Sequence, residues 1–167
     1  MRNMQHCTEL RAYTFCLFAA CIPAIAANGW AAAPQCRDVD GSISADLVTN
    51  HNVSTGLALG TVTGDLEGAV MATFTTMNGS GGVIQVKLYH NFVTVSRASL
   101  STTDSGSLTP IPDVSGVYHM SVTYSITGGT GKFAGATGTL QNDGIADLNK
   151  GLLTLTYTGE ICMPGEH

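Results

Sequence analysis

Five glycines fall within eleven residues in the stretch Gly128-Gly129-Thr130-Gly131-Lys132-Phe133-Ala134-Gly135-Ala136-Thr137-Gly138. Glycine reaches positive φ and allows close backbone approach, so such a run turns the chain sharply. A period-two pattern enters it over Val117–Thr127 and another leaves it over Ala136–Leu148. Phe133 is the one large apolar side chain inside the corner, where it is expected to plug the end of a core. Gly128, Gly129, Gly131, Gly135 and Gly138 are therefore structural turn residues. A phosphate-binding loop fits poorly. Phe133 follows Gly131-Lys132 where Ser or Thr is required, and no helical pattern follows to offer its N-terminus.

Beyond the corner the text is β throughout. Apolar alternation recurs between Gly, Asn, Asp, Ser and Pro breaks, without a sustained 3.6-residue stripe. Candidate strands are 41–49, 57–65, 68–77, 83–95, 97–103, 106–110, 116–127, 136–147 and 151–161, the shorter of which can merge. Eight strands of about ten residues, with turns, suit one closed antiparallel β-barrel. Asn78-Gly79-Ser80-Gly81-Gly82 is the clearest hairpin turn, and Pro110-Ile111-Pro112-Asp113 the clearest break. With 44% apolar residues, 11% charged and 20 glycines, the chain is a folded β composition rather than a disordered one. The net charge of −5, with no basic stripe, argues against nucleic acid and anionic membrane surfaces as partners.

Alternation across a strand assigns faces. Tyr118, Met120, Val122, Tyr124 and Ile126 share the core face of 116–127. Leu153, Leu155, Tyr157 and Ile161 do so in 151–161, as do Ile84, Val86, Leu88, His90 and Phe92 in 83–92, and Ile43, Ala45 and Leu47 in 41–47. His90, Tyr118, Tyr124 and Tyr157 thus bring polar groups to an apolar interior. Each is either a core group satisfied by backbone or water, or, with Phe92, the lining of a ligand cavity. A cavity histidine is also suited to moving a proton. His51 and His119 read as surface residues.

Asp65 and Glu67 form the one close acidic pair on an ordered segment. They read either as a polar turn before Gly68 or as a pair for acid–base or cation work, which makes Glu67 a further candidate at the cavity. The histidines past the leader (51, 90, 119 and 167) lack metal spacing, no G-x-S-x-G is present, and no cofactor motif appears; neither metal nor cofactor is expected.

Residues 1–33 read as a secretory signal. Arg2 and Arg11 supply a basic start, Thr14–Ala27 is an uncharged apolar run, and Ala24-Ile25-Ala26 offers a cleavage site near residue 26, with a second near residue 33. The run is too short to span a membrane, which takes about 20 residues. Phe18-Ala19-Ala20-Cys21 is a poor lipoprotein box, so the expected location is secreted or periplasmic. Cys7, Cys16 and Cys21 leave with the signal. Cys36 and Cys162 remain, an even pair in an exported chain and hence a disulfide candidate. The barrel domain is expected over 36–162, with a short tail at 163–167.

The run Ile126–Gly138 resembles the signature of the allene oxide cyclase barrel superfamily, and plant dirigent proteins carry a similar Gly-Gly-Thr-Gly-Lys-Phe. The chain most fully resembles bacterial exported proteins with an allene-oxide-cyclase-like barrel domain, also at Gly64-Asp65-Leu66-Glu67-Gly68-Ala69 and Tyr157-Thr158-Gly159-Glu160-Ile161-Cys162. The resemblance spans roughly Cys36 to Cys162 and implies a calycin-like barrel. It implies little about reaction, because the superfamily holds cyclases, stereochemical guides and proteins of unknown role. Allene oxide cyclases use a buried glutamate near the barrel mouth, but the glycine signature does not align Glu67 with it.

Three roles stay open. One is an exported barrel that binds a small apolar molecule in its lumen. Another is a cofactor-free cyclase or isomerase that holds one reactive conformer. The third is a structural barrel with a filled core. The oligomeric state is open in all three.

Overall fold

The computed structural model describes residues 33–48 and 56–165. Residues 1–32 of the signal expected over 1–33, together with His51 and His167, lie outside the described residues.

Eight strands run in sequence: β1 (Gln35–Val48), β2 (Leu57–Gly64), β3 (Gly68–Ser80), β4 (Val83–Thr94), β5 (Ser99–Pro110), β6 (Val117–Gly129), β7 (Thr137–Asp147) and β8 (Leu152–Met163). Each pairs antiparallel with the next, and β1 pairs with β8 to close the barrel. The all-β closed barrel expected from the alternation is therefore the fold. Among the described residues, no helix is long and apolar enough to cross a membrane.

Two boundaries differ most from the sequence reading. Segments 97–103 and 106–110 are one strand, β5, and Asp104-Ser105-Gly106 lies within it rather than at a break. Gly106 sits between Val86 on β4 and Val122 on β6, so pairing on both sides holds it extended. β1 starts at Gln35 instead of residue 41, because β8 pairs with it from Met163 onward. Its first six residues carry a single buried apolar group, Val39, too few to announce a strand.

The period-two faces hold. Ile43, Ala45, Val86, Leu88, Met120, Val122, Leu153, Leu155 and Ile161 are all buried, and the residues between them face outward. The Ser80-Gly81-Gly82-Val83 hairpin has φ of 62° and 84° at its two glycines, as a two-residue type I′ turn requires. Side-chain hydroxyls settle two bulges: Thr75 donates to the Lys87 carbonyl at 3.0 Å, and Thr127 to the Ser101 carbonyl at 3.1 Å.

Strand alternation gives the barrel two unlike ends. The disulfide end holds the starts of β1, β3, β5 and β7. The glycine corner lies here, with one turn of 3-10 helix at Gly131–Phe133, φ of 58° at Gly131 and 71° at Gly135. The positive φ angles curl the chain inward, and Phe133 is left fully buried as the plug the sequence implied. Leu66, also fully buried, fills the same end from the β2–β3 turn. At the hairpin end the apolar residues Leu47, Met77, Ile84, Tyr118 and Leu148 pack against the core but stay partly exposed.

Cys36 and Cys162 are register partners at the closing seam and form a disulfide, Cα–Cα 3.8 Å. Glu160 lies beside them, the one grouping of three metal-ligand side chains within mutual reach among the described residues. Both sulfurs are committed to the bond, which leaves no thiolate to bind an ion.

Candidate functional site

The barrel interior carries a polar cluster on three neighbouring strands. β4 contributes His90, β5 contributes Thr102 and Asp104, and β6 contributes Tyr124, all buried. Register explains the meeting. His90 is the cross-strand partner of Thr102, and Asp104 of Tyr124. Side chains on one face of paired strands come within reach at direct and diagonal positions.

The contacts form a line. His90 Nδ1 lies 2.7 Å from Asp104 Oδ2, and His90 Nε2 lies 3.4 Å from the Tyr124 hydroxyl. The carboxylate accepts from Nδ1–H, which leaves Nε2 to face the phenol. The histidine ring stacks on Phe92 at 5.6 Å between centroids and tilts against Tyr124 at 4.4 Å. Burial, reinforced by the negative charge of Asp104, pushes the Tyr124 phenol well above the ordinary tyrosine range. Tyr124 therefore stays neutral and able to donate.

A further polar side chain reaches the barrel interior from β7. Asn142 on β7 is fully buried, opposite Val122 on β6 and Tyr157 on β8. Neither its amide nitrogen nor its amide oxygen has a hydrogen-bond partner. The same is true of Thr102 Oγ1 and Asp104 Oδ1. These four are the unpartnered buried side-chain polar atoms among the described residues. Buried polar groups are ordinarily satisfied, so four in one interior call for a reason.

The other sequence candidates separate. Tyr157 is a structural tie. Its hydroxyl donates to the Thr63 carbonyl at 2.9 Å and accepts from the Leu66 amide at 3.0 Å. The ring reaches across β1 because its partner there is Gly41, where a Cβ would run into the phenol and the Thr63 carbonyl. Burial raises the Tyr157 phenol above its usual value, and the bond from Leu66 offsets part of that. Phe92 is fully buried beside His90, and Tyr118 is half-buried at the hairpin end, over a recess of about 470 Å³ under the β5–β6 loop.

Glu67 does not join the interior. It is exposed at the β2–β3 turn, because Leu66 between the two acids is the residue that turns inward. Asp65 is likewise a turn residue, accepting from the Asp40 amide at 3.0 Å and lying 3.6 Å from Arg37. His119 is exposed and pairs with Asp143 at 2.8 Å.

Asp104, Thr102 and Asn142 are site residues that the sequence reading missed. The signal was present: Leu140 and Ala146 fix the inward parity of β7, and Asn142 shares it. Leu100 and Leu108 do the same for Thr102 and Asp104 once β5 is one strand.

No protein-family model matches the chain, and no curated protein matches it. Among solved structures, the pterocarpan synthase dirigent protein GePTS1 is similar, with 17% identity over 80% of this chain and 88% of that one, at a TM-score of 0.48. At that distance the likeness says nothing of ligand or reaction.

Proposed function

We propose that the barrel is an exported binding protein that holds a small, largely apolar molecule in its lumen, with the polar end of that molecule against Asp104, Thr102 and Asn142. The observation that carries this reading is the set of four buried polar atoms without partners. An unsatisfied buried group costs about 1–3 kcal/mol, so four cost roughly 4–12 kcal/mol. A whole domain is stable by only about 5–15 kcal/mol. A barrel selected only for a filled core would gain by replacing these residues with apolar ones of similar volume. The export part rests on the apolar leader with its Ala24-Ile25-Ala26 site and on the Cys36–Cys162 bond, which suits an oxidising compartment.

A second reading, a cofactor-free isomerase or cyclase, draws on the line Asp104–His90–Tyr124. A carboxylate that orients an imidazole, with a neutral phenol beyond it, is a workable acid–base pair for moving one proton on a bound, unsaturated molecule. The surrounding apolar wall would hold a single reactive conformer.

The test is native mass spectrometry of oxidised protein purified without denaturation from its own host, beside the Asn142→Leu variant. The expected wild-type spectrum carries a noncovalent small-molecule adduct that disappears on unfolding. Asn142→Leu should lose the adduct yet be more stable by about 2–6 kcal/mol, since it removes two unsatisfied atoms. Bare protein in both spectra, with no saturable uptake of an apolar fluorescent probe, would leave the filled structural barrel as the answer.

A further inference from the structure

We infer that, while the Cys36–Cys162 bond is open, the seam between β1 and β8 binds a thiophilic divalent cation such as zinc, held by both thiolates and Glu160. The chain is made with its thiols free, so this open form precedes the disulfide, and reduction restores it. Register sets the ligands together. Cys36 and Cys162 are partners across the seam, and the next outward pair on the same two strands is Asp38 with Glu160. Two residues of strand advance only about 6.6–6.8 Å, within reach of a glutamate side chain. The ligand atoms of Cys36, Cys162 and Glu160 lie within 4.8 Å of one another, and Glu160 Oε1 is 3.4 Å from Cys162 Sγ. In the oxidised barrel that contact satisfies nothing, because a disulfide sulfur carries no hydrogen. A tetrahedral zinc, with bonds of about 2.3 Å to sulfur and about 2.1 Å to oxygen, sets the two ligand atoms about 3.6 Å apart. Glu160 already stands close to that distance. The sulfurs must part to about 3.8 Å on such a centre, and opening their bond lets them do so. Cys36 is exposed and Cys162 only partly buried, so both side chains have room to turn and the cation has a path in.

Charge points the same way. Asp38 and Glu160 are like charges directly opposite each other, an arrangement that destabilises a strand pair. Both are exposed, and neither belongs to an ion pair among the described residues. Arg37, between Cys36 and Asp38 in sequence, pairs with Asp65 instead. Two thiolates add to this negative charge when the bond opens, and a dication offsets it. Two thiolates with one carboxylate favour zinc, cobalt or cadmium over magnesium and calcium, which prefer oxygen alone. The fourth tetrahedral position is left to water.

The chemistry balances in two steps. A dithiol passes two electrons to the protein disulfide, giving two cysteine thiols and its own cyclic disulfide. The cation then replaces the two thiol protons, which pass to the buffer. Cation and oxidant therefore compete for the same two sulfurs: bound metal delays the disulfide, and oxidation expels the metal.

The test uses Co²⁺ as a coloured probe of the zinc site, added to protein that has been reduced with a dithiol and desalted under argon. The reduced protein is expected to take up one equivalent, with a thiolate-to-cobalt charge-transfer band and the visible bands of a tetrahedral centre, all erased by Zn²⁺. The oxidised protein should show none of them. Glu160→Gln leaves both cysteines in place and should weaken Co²⁺ binding at least about tenfold, since even an outer-shell partner is worth about 10–100-fold. Thiol counting during exposure to air should show that Zn²⁺ slows re-formation of the disulfide. A reduced protein without the charge-transfer band, or oxidised protein that binds Co²⁺ as tightly, overturns the site. Unchanged affinity in Glu160→Gln overturns the three-ligand set. If reduction unfolds the barrel, Zn²⁺ is expected to restore the far-ultraviolet β spectrum, and a chain that stays unfolded with Zn²⁺ overturns the site as well.

Discussion

Removing one oxygen atom tests how the disulfide end is held. Tyr157→Phe keeps the buried ring and its apolar contacts but deletes the hydroxyl that joins β8 to the β2–β3 turn. Two backbone groups lose a hydrogen bond: the Leu66 amide, which is buried, and the Thr63 carbonyl, which is partly buried and sits opposite Ser42 in the β1–β2 ladder. Leaving a buried group unpaired costs about 1–3 kcal/mol, with the carbonyl at the lower end because water can reach it. The expected loss is about 2–4 kcal/mol. For a barrel of this length, each kcal/mol moves the melting temperature by a few degrees, so Tm should fall by on the order of 10 °C. The local signature is more specific than the melt. Hydrogen exchange at the Leu66 amide should accelerate far more than at amides of β4 and β5, since the hydroxyl is that amide's acceptor. A melt within about 2 °C of wild type, with unchanged protection at Leu66, would refute the tie.

Cys36→Ser should also lower Tm clearly. The bond closes a loop of 126 residues, for which chain entropy gives about 4–5 kcal/mol and measured cases nearer 2–4 kcal/mol. Adding Cys162→Ser should cost little more, and thiol counting on the denatured, unreduced protein should find neither sulfur free. Alkaline pH supplies an independent check on the two buried phenols. Both Tyr124 and Tyr157 are raised in the folded barrel, Tyr124 most, by burial. An unfolded tyrosine ionises near pH 10 while the folded ones remain protonated, so that part of the stability is intact below about pH 10 and falls as pH rises beyond it. Absorbance at 295 nm should show two tyrosines that ionise only together with loss of the β spectrum. Ionisation of all of them before unfolding would contradict the burial.

The fold was legible because its strands alternate cleanly where apolar residues are dense. Met120, Val122, Tyr124 and Ile126 set one face without ambiguity, and the glycine corner with Phe133 marked how the barrel end is closed. β5 was harder, because Asp104, Ser105 and Gly106 are turn-forming types in isolation. Only their register partners, Val86 to Leu88 on β4 and Val122 to Tyr124 on β6, keep them extended, and pairing is not written locally. The same step hid the site. His90 stood out as a lone histidine on an apolar face, but its partner lies 14 residues away and meets it through register. Glu67 misled for the opposite reason. Its neighbour Leu66 is drawn inward by the Tyr157 hydroxyl, 91 residues further along, and that rotates the acid to the surface.

The seam between β1 and β8 has a consequence for how the chain is made. Every other strand pairs with the one synthesised just before or after it. β1 also pairs with β2, but its pairing with β8 must wait, with Cys36 meeting Cys162 only after the last strand has emerged. Contacts of such long sequence separation slow folding, and an open sheet leaves two edges exposed meanwhile. A nascent chain of this design stays incomplete until its final strand is available. The late disulfide then fastens the two ends of the chain like the hoop on a cask.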